Sequence, residues 1–445
     1  MILPLTPFEE YLVHEDRPGF PCWNVARFSC AGHFDVEHLE TAWQQTAAAQ
    51  PMLRARLISR LLRGPAWRID PNSSVPPVVD VSALGPHGWP SRWLRLDLAS
   101  GPGARLYLHQ HDNRAVLFAQ FHHALVDGLG LGAIMEELFA RYASLHGASV
   151  KLPSRDPALL RARGSSGLPW LERVRGLPMQ LVGLLGASQL LLGREAAPLL
   201  PHTLLPADSP PVAFYPAVES RVLDTEAFGQ LRNAAKKAKV SVNEMLMRDL
   251  QAAIGAWRGK HAPDAPQDWM RLAVPVLIRS AVDRRMPACN LVSLVIIDRT
   301  VKSCRNRARL LRRAREDMEI ILKHRLGLVF WRILKLCRWL PGGLAAYSLR
   351  PKVRATCVMT NFGRIFHQGP VPHPQRRYAV PGAVLENVVT APVIRPGTIV
   401  CLGLSVMDMQ LHADLHYDSR VLTQAQAAAL ADEFVRQTEL SVRGE

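Results

Sequence analysis

Residues 118–130 constrain this chain more than any other stretch, because they join a buried strand to a helix through two adjacent histidines. Residues 115–121 are a short apolar run with β-branched and aromatic members, which predicts a buried strand. After Gly128, whose backbone freedom suits a tight turn, apolar residues recur at the spacing of one helix face: Leu131, Ile134, Met135, Leu138, Phe139 and Tyr142. His122 and His123 therefore lie in a loop between two rigid elements, where catalytic groups are commonly held.

Three other interpretations of this loop fit the sequence less well. The histidine pair can serve only as hydrogen-bonded core. Gly128, Gly130 and Ala133 match a dinucleotide fingerprint, but the glycines do not directly follow the strand, and no acidic residue ends a second strand about twenty residues further on. Residues 105–110 and 114–121 predict a hairpin that leads into the histidine loop. Four histidines on this hairpin and at its end could gather around a metal, yet no carboxylate or cysteine accompanies them at fixed spacing, so we expect no metal: His109, His111, His122 and His123.

Composition is typical of an ordinary globular protein in a reducing compartment. The chain has 445 residues, 48% of them hydrophobic, which is enough for roughly two to three domains with sizeable cores. Its seven cysteines are odd in number, scattered and without a C-x-x-C pair, so we expect them to be reduced and mostly buried. Residues 1–10 lack the basic region of a secretory signal, so a cytoplasmic location is expected.

The formal charge of +16 concerns the partners of the protein rather than its fold. It favours anionic partners, such as a phosphorylated thioester, an acidic carrier protein or a lipid surface. Nucleic acid is not expected, because the basic residues do not interleave with aromatic residues on a recognisable nucleic-acid-binding motif.

Strands that alternate with helices in both halves predict two α/β domains of similar size. We place the first domain at residues 1–150, a linker rich in Pro, Gly, Ser and Arg at 151–211, and the second domain at 212–445. The linker contains an apolar piece, 168–192, which charged residues, glycine and proline interrupt, so it favours a linking or surface-lying helix over a membrane span. Within the second domain, the continuous apolar run 291–297 predicts a central strand.

The histidine loop resembles a known motif. Residues 122–128 read HHALVDG, which is similar to the HHxxxDG motif of the thioester-dependent acyltransferase superfamily. That group includes chloramphenicol acetyltransferase, condensation domains of non-ribosomal peptide synthetases, and wax ester synthases. Weaker matches to the family follow in the expected order, at residues 5–9, 50–54, 274–279 and 360–364. The resemblance implies an α/β fold of two chloramphenicol-acetyltransferase-like lobes forming a V with a central tunnel, in a stand-alone enzyme.

The resemblance also implies roles for the motif residues. His123 would be the general base, a task that suits the ordinary pKa of histidine, and His122 would support the loop through hydrogen bonds. Asp127, which precedes Gly128 of the motif, would hold the loop in shape through an ion pair with an arginine. Arg279 is the first candidate for that arginine, and Arg364 is the second.

The oxyanion that develops during acyl transfer needs a hydrogen-bond donor in a dry site. Thr360, Asn361 or backbone amides near Gly363 could supply it, and the sequence leaves these alternatives open. Thr360 stands where many relatives carry serine, which keeps a hydroxyl group at that position.

The implied activity is transfer of an acyl group from a CoA or carrier-protein thioester to a hydroxyl or amine acceptor. Acyl-CoA or acyl-phosphopantetheine would be a co-substrate, with no bound cofactor, and we favour a small lipophilic acceptor. Two alternatives stay open: a catalytically inactive binding module of the same fold, and a lipid or wax-ester-type O-acyltransferase at the membrane surface. His122 and Asp127 also satisfy the H-x-x-x-x-D signature of glycerol-phosphate acyltransferases, but His123 and Gly128 fit the first family better.

Residues 325–340 predict a basic amphipathic helix. The apolar side would carry Val329, Phe330, Ile333, Cys337 and Leu340. The other side would carry Arg332, Lys335 and Arg338, with Trp331 and Trp339 near the boundary. Such a helix can lie in the interface of the inner membrane face, or it can pack its apolar side on its own domain while the basic residues face water.

Overall fold

A computed structural model describes residues 1–61, 64–85, 87–164, 178, 181, 183–184, 195–201, 205–206, 208–263, 269–279, 284–350, 352–375 and 377–444. Most of the predicted apolar helix at 168–192 lies outside these residues.

The described residues form two six-stranded sheets, a three-stranded sheet and surrounding helices. The strands are β1 (Ile2–Pro4), β2 (Trp23–Gly32), β3 (Ala55–Ile58), β4 (Ala66–Ile69), β5 (Val79–Asp80), β6 (Ala104–His111), β7 (Arg114–His122), β8 (Ala217–Leu223), β9 (Trp269–Leu277), β10 (Val292–Thr300), β11 (Cys357–Arg364), β12 (Ala379–Val380), β13 (Ala383–Ala391), β14 (Val400–Met407) and β15 (Gln410–Tyr417). The α-helices are α1 (Pro7–Glu15), α2 (Val36–Ala49), α3 (Gly128–Leu145), α4 (Thr225–Lys237), α5 (Val242–His261), α6 (Arg307–Lys323), α7 (Gly327–Cys337), α8 (Gly343–Leu349) and α9 (Gln424–Arg443). Short 3-10 helices cover Pro51–Arg54, Pro157–Ala162 and Val301–Arg305.

The N-terminal sheet has the strand order β12-β13-β2-β7-β6-β5 and delivers the histidine loop. The predicted hairpin is present as β6 and β7, which pair antiparallel, and β7 ends with His122 opposite Trp23 of β2. The helix predicted after it is α3, whose buried face includes all six residues of the predicted apolar stripe. Helix α2 packs on α3, and Asp35 caps its first turn by accepting a hydrogen bond from the amide of His38.

The C-terminal sheet has the order β10-β9-β11-β14-β15-β8, with β11 parallel to both of its neighbours. The prediction that residues 291–297 form a central strand is wrong, because β10 is an edge strand. Its apolar character is explained by helix α7, which covers it: Ser293 Oγ donates to the carbonyl of Gly327 at 2.6 Å, and Trp331 Nε1 donates to the carbonyl of Val292 at 3.0 Å. A covered edge buries apolar residues as a central strand does.

The two halves of the chain are interleaved rather than separate in the sheets. Strands β12 and β13, from the second half, extend the N-terminal sheet through pairing of β13 with β2. The amide of Thr390 in β13 donates to Asp414 in β15 at 2.8 Å, and Ser220 Oγ donates to the same carboxyl group at 2.7 Å. Burial raises the pKa of Asp414 to about 6. The predicted boundaries at 150 and 211 stay predictions, although β12 and β13, which follow residue 211, belong to the N-terminal sheet.

Helix α7 packs partly on its own lobe. Its buried residues include Val329, Phe330 and Cys337, as predicted. Trp331, predicted near the boundary, is buried against β10, and Arg338, predicted on the water-facing side, forms a 2.5 Å ion pair with Glu10. Beyond this packed face, the apolar side chains of Leu336, Trp339 and Leu340 are exposed.

All seven cysteines are free and buried, as the sequence predicts. Among the described residues, no helix combines the length and apolarity that a bilayer crossing requires.

Segment 151–164 is anchored to α1 by a buried ion pair. Arg163 Nε lies 2.7 Å from Glu9 Oε1, and both side chains are almost fully buried. Glu9 also accepts hydrogen bonds from the amide of Thr6 at 2.8 Å and from Trp67 Nε1 at 3.2 Å. The buried carboxylate of Glu9 therefore depends on the guanidinium of Arg163 as its charge partner.

We predict that Arg163→Met lowers the free energy of unfolding by about 3–5 kcal/mol, because it leaves the buried Glu9 charge uncompensated. Arg161→Met is the matched control: it lies two positions away, its side chain is exposed, and its effect should stay within about 0.5 kcal/mol. Denaturant unfolding measures both. Equal stabilities for the two variants would mean that the buried pair does not anchor this segment.

Candidate active site

The histidine loop is held by backbone hydrogen bonds on both sides. The amide of His122 donates to the carbonyl of Gly103, and the amide of His123 donates to that of Cys22, each at 2.8 Å. Asp127 then caps α3, because its side chain accepts from the amide of Gly130 at 2.8 Å. The loop thus runs from a strand end to a capped helix start within a few residues, which leaves it little conformational freedom.

Asp127 forms the ion pair that the family resemblance implied. Its two carboxylate oxygens lie 2.6 and 2.8 Å from a terminal nitrogen of Arg279, and the amide of Leu291 donates to it at 2.8 Å. Arg279 is therefore the partner, whereas Arg364, the second candidate, is exposed. Arg279 follows β9 and Leu291 precedes β10, so one buried carboxylate ties the loop of the N-terminal lobe to the C-terminal sheet.

The two histidines have opposite tautomers in their neutral forms. The amide of Ala124 donates to Nδ1 of His122 at 3.1 Å, so this ring carries its proton on Nε2. Nδ1 of His123 lies 3.3 Å from the carbonyl of Val126, which can only accept, so that ring carries its proton on Nδ1. His123 consequently keeps Nε2 as a lone-pair acceptor, which is the state a general base needs.

His122 is fully buried beside an acid that the sequence analysis missed. Its Nε2 lies 3.8 Å from Asp16, which also accepts from the amide of Cys22 and pairs with Arg95, each at 2.9 Å. Burial alone would raise the pKa of Asp16, but His122, the Cys22 amide and Arg95 hold it below its usual value. Asp16 is therefore an ionised group facing the protonated nitrogen of His122.

His123 is half-buried between α1 and the segment that precedes β10. The ring of Phe8 meets it edge-on with centroids 6.5 Å apart, and Asn290 Nδ2 donates to its backbone carbonyl at 2.7 Å. Burial lowers the pKa of His123 to about 4, the Val126 carbonyl opposes this shift, and the charge of Arg395 adds to it. Because the folded-state pKa lies below its ordinary value, the ring is neutral at pH 7.

Gly128 is needed for space rather than for a turn. Its φ is not positive, so the expected backbone explanation is wrong. A Cβ atom built there would lie 2.2 Å from the ring of Phe362 in β11. The aromatic ring of the C-terminal lobe thus packs directly against the first residue of α3. A Cβ atom built at Gly403 of β14 would lie 3.4 Å from another atom of the same ring.

The three oxyanion candidates face different directions. Asn361 Nδ2 donates to Asn243 of α5 at 3.1 Å, and the amide of Gly363 donates to Asn361 Oδ1 at 2.8 Å, so both groups are already engaged. Thr360 lies between Val358 and Phe362 in β11. Since alternate residues of a strand share a face, its side chain lies on the face of Phe362, which contacts α3.

The structure adds residues that the sequence did not single out. Asp16, Phe8, Asn290 and Arg395 all act on the histidine pair, yet none has a motif of its own. Phe8 lies in the weakly matching segment 5–9, which was the one local signal. The others approach through long-range packing, for which a single sequence carries no pattern.

Comparisons with known proteins agree with this architecture. Residues 3–158 match the family model described as Condensation domain. HC-toxin synthetase of Cochliobolus carbonum is 29% identical over 153 residues, which are 32% of this chain and 3% of that protein. The chain therefore spans a small fraction of this curated relative.

Solved structures match over nearly the whole length. The first condensation domain of the calcium-dependent antibiotic synthetase, in complex with a substrate analogue, has a TM-score of 0.71 at 18% identity and covers 99% of this chain and 97% of its own. The starter condensation domain of rhizomide synthetase, in complex with C8-CoA and Leu-SNAC, has a TM-score of 0.66 at 16% identity, with 99% and 94% covered. The predicted resemblance and the predicted two-lobed α/β fold are thus confirmed: this chain has the fold of condensation domains.

We predict that Gly128→Ala destabilises the protein by about 1–3 kcal/mol, because the added methyl group overlaps the Phe362 ring. Gly132→Ala in the same helix is the matched control. A Cβ there meets nothing within 4 Å, so it should be neutral or stabilise by up to about 1 kcal/mol. Adding Phe362→Leu to Gly128→Ala should recover part of the loss. Strictly additive effects in thermal unfolding would argue against the contact.

Proposed function

We propose that this protein transfers an acyl group from a CoA or carrier-protein thioester to a hydroxyl or amine acceptor, with His123 as general base. The observation that carries the proposal is the state of the His123 ring, which is neutral and turns its lone pair at Nε2 away from the Val126 carbonyl. Strong depression of a histidine pKa in a preorganised loop is typical of functional sites.

The proposed step balances without any other reactant. As the acceptor oxygen or nitrogen attacks the thioester carbonyl carbon, its proton passes to Nε2 of His123. The tetrahedral intermediate then collapses, the carbon–sulfur bond breaks, and the thiol leaves with the proton returned by His123. The low pKa of the ring makes the imidazolium short-lived, which favours rapid return of the proton.

The other site residues would support this step. Thr360 is the favoured oxyanion donor among the three candidates, because its strand face is shared with Phe362 while Asn361 and Gly363 bond elsewhere. Asp127 and Arg279 would hold the loop, and Asp16 would orient His122. Asn290, bonded to the carbonyl of His123, would fix the backbone that carries the base.

Relatives guide the choice of donor. The rhizomide domain was solved with C8-CoA and Leu-SNAC, and the net charge of +16 favours an anionic donor. We propose acyl-CoA or acyl-phosphopantetheine as co-substrate and a lipophilic acceptor, in a cytoplasmic protein. The alternative of an inactive binding module is disfavoured by the intact histidine loop, and the experiment below separates the two.

A second candidate function is lipid acylation at the membrane surface. It is favoured by three exposed apolar side chains in the last turn of α7 and directly after it, Leu336, Trp339 and Leu340, of which Trp339 is 85% exposed. Lys335 lies beside them and is also exposed. An exposed tryptophan next to a basic residue suits a lipid interface, and co-sedimentation with anionic liposomes at low salt would support this location.

We predict that His123→Ala lowers the rate of acyl transfer by about 10²- to 10⁴-fold with unchanged thermal unfolding, because proton transfer is lost while the loop contacts stay. His111→Ala, an exposed histidine of the same hairpin, is the control and should keep full activity. Mass spectrometry of products after incubation with acyl-thioester donors and pooled hydroxyl and amine acceptors provides the assay. Transfer by His123→Ala at the normal rate would remove this residue from the mechanism, and no product with any donor would favour the binding module.

A further inference from the structure

A large cavity lies between α1, α7, α8 and the C-terminal sheet. Its volume is about 790 Å³, within the range of pockets that enclose small molecules. The walls are mainly apolar: Ala273, Leu294 and Ile296 come from neighbouring strands, Phe330 and Ile333 from α7, and Ala346 from α8. Such walls cannot replace the hydrogen bonds of a polar ligand, so they favour an aliphatic chain.

One end of the cavity is at the surface and the other is near the histidine loop. Leu336 and Leu340, which line it, are 60% and 58% exposed. At the inner end, Tyr11 and Phe330 are buried. The ring of Phe8 contacts Phe330 with centroids 6.0 Å apart and His123 with centroids 6.5 Å apart. One aromatic ring therefore separates the inner wall of the cavity from His123.

The inner end carries two guanidinium groups around one tyrosine. Arg395 donates to the hydroxyl of Tyr11 at 2.6 Å, and the guanidinium of Arg354 lies 6.0 Å from the centroid of the same ring. Both arginines line the cavity, and Glu15 is 3.9 Å from Arg395. Two positive charges thus face one carboxylate. The described residues that line the cavity include no acidic side chain.

This arrangement combines an apolar interior with an anion-binding end that one aromatic ring separates from the base. We propose that the cavity binds the acceptor, which is an aliphatic hydroxy or amino acid: its chain fills the cavity and its carboxylate meets Arg354 and Arg395. The ring of Phe8, which separates the cavity from His123, has to turn aside before the hydroxyl or amine of the acceptor reaches the base. The identity of the acceptor rests on the proposed function, whereas binding in the cavity does not. A guanidinium pair selects carboxylates through charge-assisted hydrogen bonds.

Calorimetry of the full-length protein with 3-hydroxytetradecanoate, 1-tetradecanol and 3-hydroxybutyrate, without any thioester donor, tests the site. We expect the long hydroxy acid to bind at least about tenfold more tightly than the short one, because its methylene groups are buried. It should also bind at least about tenfold more tightly than 1-tetradecanol, because the alcohol has no carboxylate to accept a charge-assisted hydrogen bond from the arginines. Equal affinity for the hydroxy acid and the alcohol, or no binding of either, would overturn the proposal.

Two variants assign the binding to this cavity. Ala346→Phe places a ring among the lining residues and should weaken binding at least about tenfold. Ala345→Phe, the neighbouring position of α8 that is not a lining residue, is the matched control. If Ala346→Phe fails to fold, Ala273→Leu narrows the cavity from the opposite wall. Unchanged affinity in a folded cavity variant would contradict the site.

A third variant tests the inner end. Arg354→Gln should reduce affinity for the hydroxy acid about tenfold or more while leaving that for 1-tetradecanol unchanged. An equal effect on both ligands would overturn the assignment of the carboxylate.

Two outcomes distinguish this proposal from the proposed function. Binding without acylation by any donor would contradict the proposed function and leave the cavity site standing. If the long acid does not bind and the acylation of 3-hydroxybutyrate is unchanged in Ala346→Phe, the cavity site is contradicted and the proposed function stands.

Discussion

The carboxylate of Asp127 is the constraint on which the candidate site depends. It is almost fully buried and accepts from Arg279, from the amide of Gly130 and from the amide of Leu291. A buried charge is tolerated only when its partners stay in place, so this carboxylate fixes the start of α3, the end of β9 and the start of β10 relative to one another. His123 lies four positions before Asp127 in the same loop, and its location follows from that arrangement.

The loop geometry then determines the chemistry of the two rings. Because an amide donates to His122 and a carbonyl accepts from His123, neighbouring histidines are held in opposite tautomers. His122 turns its proton towards Asp16, which makes it a structural link to α1. His123 turns its proton to its own loop and keeps Nε2 as acceptor. Burial keeps that ring neutral, so its lone pair at Nε2 is available to accept a proton.

Local sequence patterns predicted the elements that carry the loop, because strand alternation, helix periodicity and capping residues act over a few positions. The hairpin of β6 and β7 and helix α3 are such cases. Features set by distant parts of the chain could not be predicted in this way. Two of these features join residues more than 200 positions apart: the pairing of β13 with β2, and the contact between the ring of Phe362 and Gly128. A third feature is the packing of α7 over β10, which depends on tertiary structure that the sequence of β10 does not encode. The ion pair with Arg279 was predicted through the family resemblance, not through any local pattern.

NMR of protein labelled with ¹⁵N-histidine, with His123→Gln to assign the signals, tests most directly whether the His123 ring is a poised neutral base. We predict a ring protonated on Nδ1 alone that stays neutral until the pH falls towards about 4, because burial opposes the charged form. A ring protonated on Nε2, or one that takes up a second proton near the ordinary value of 6.5, would contradict this account.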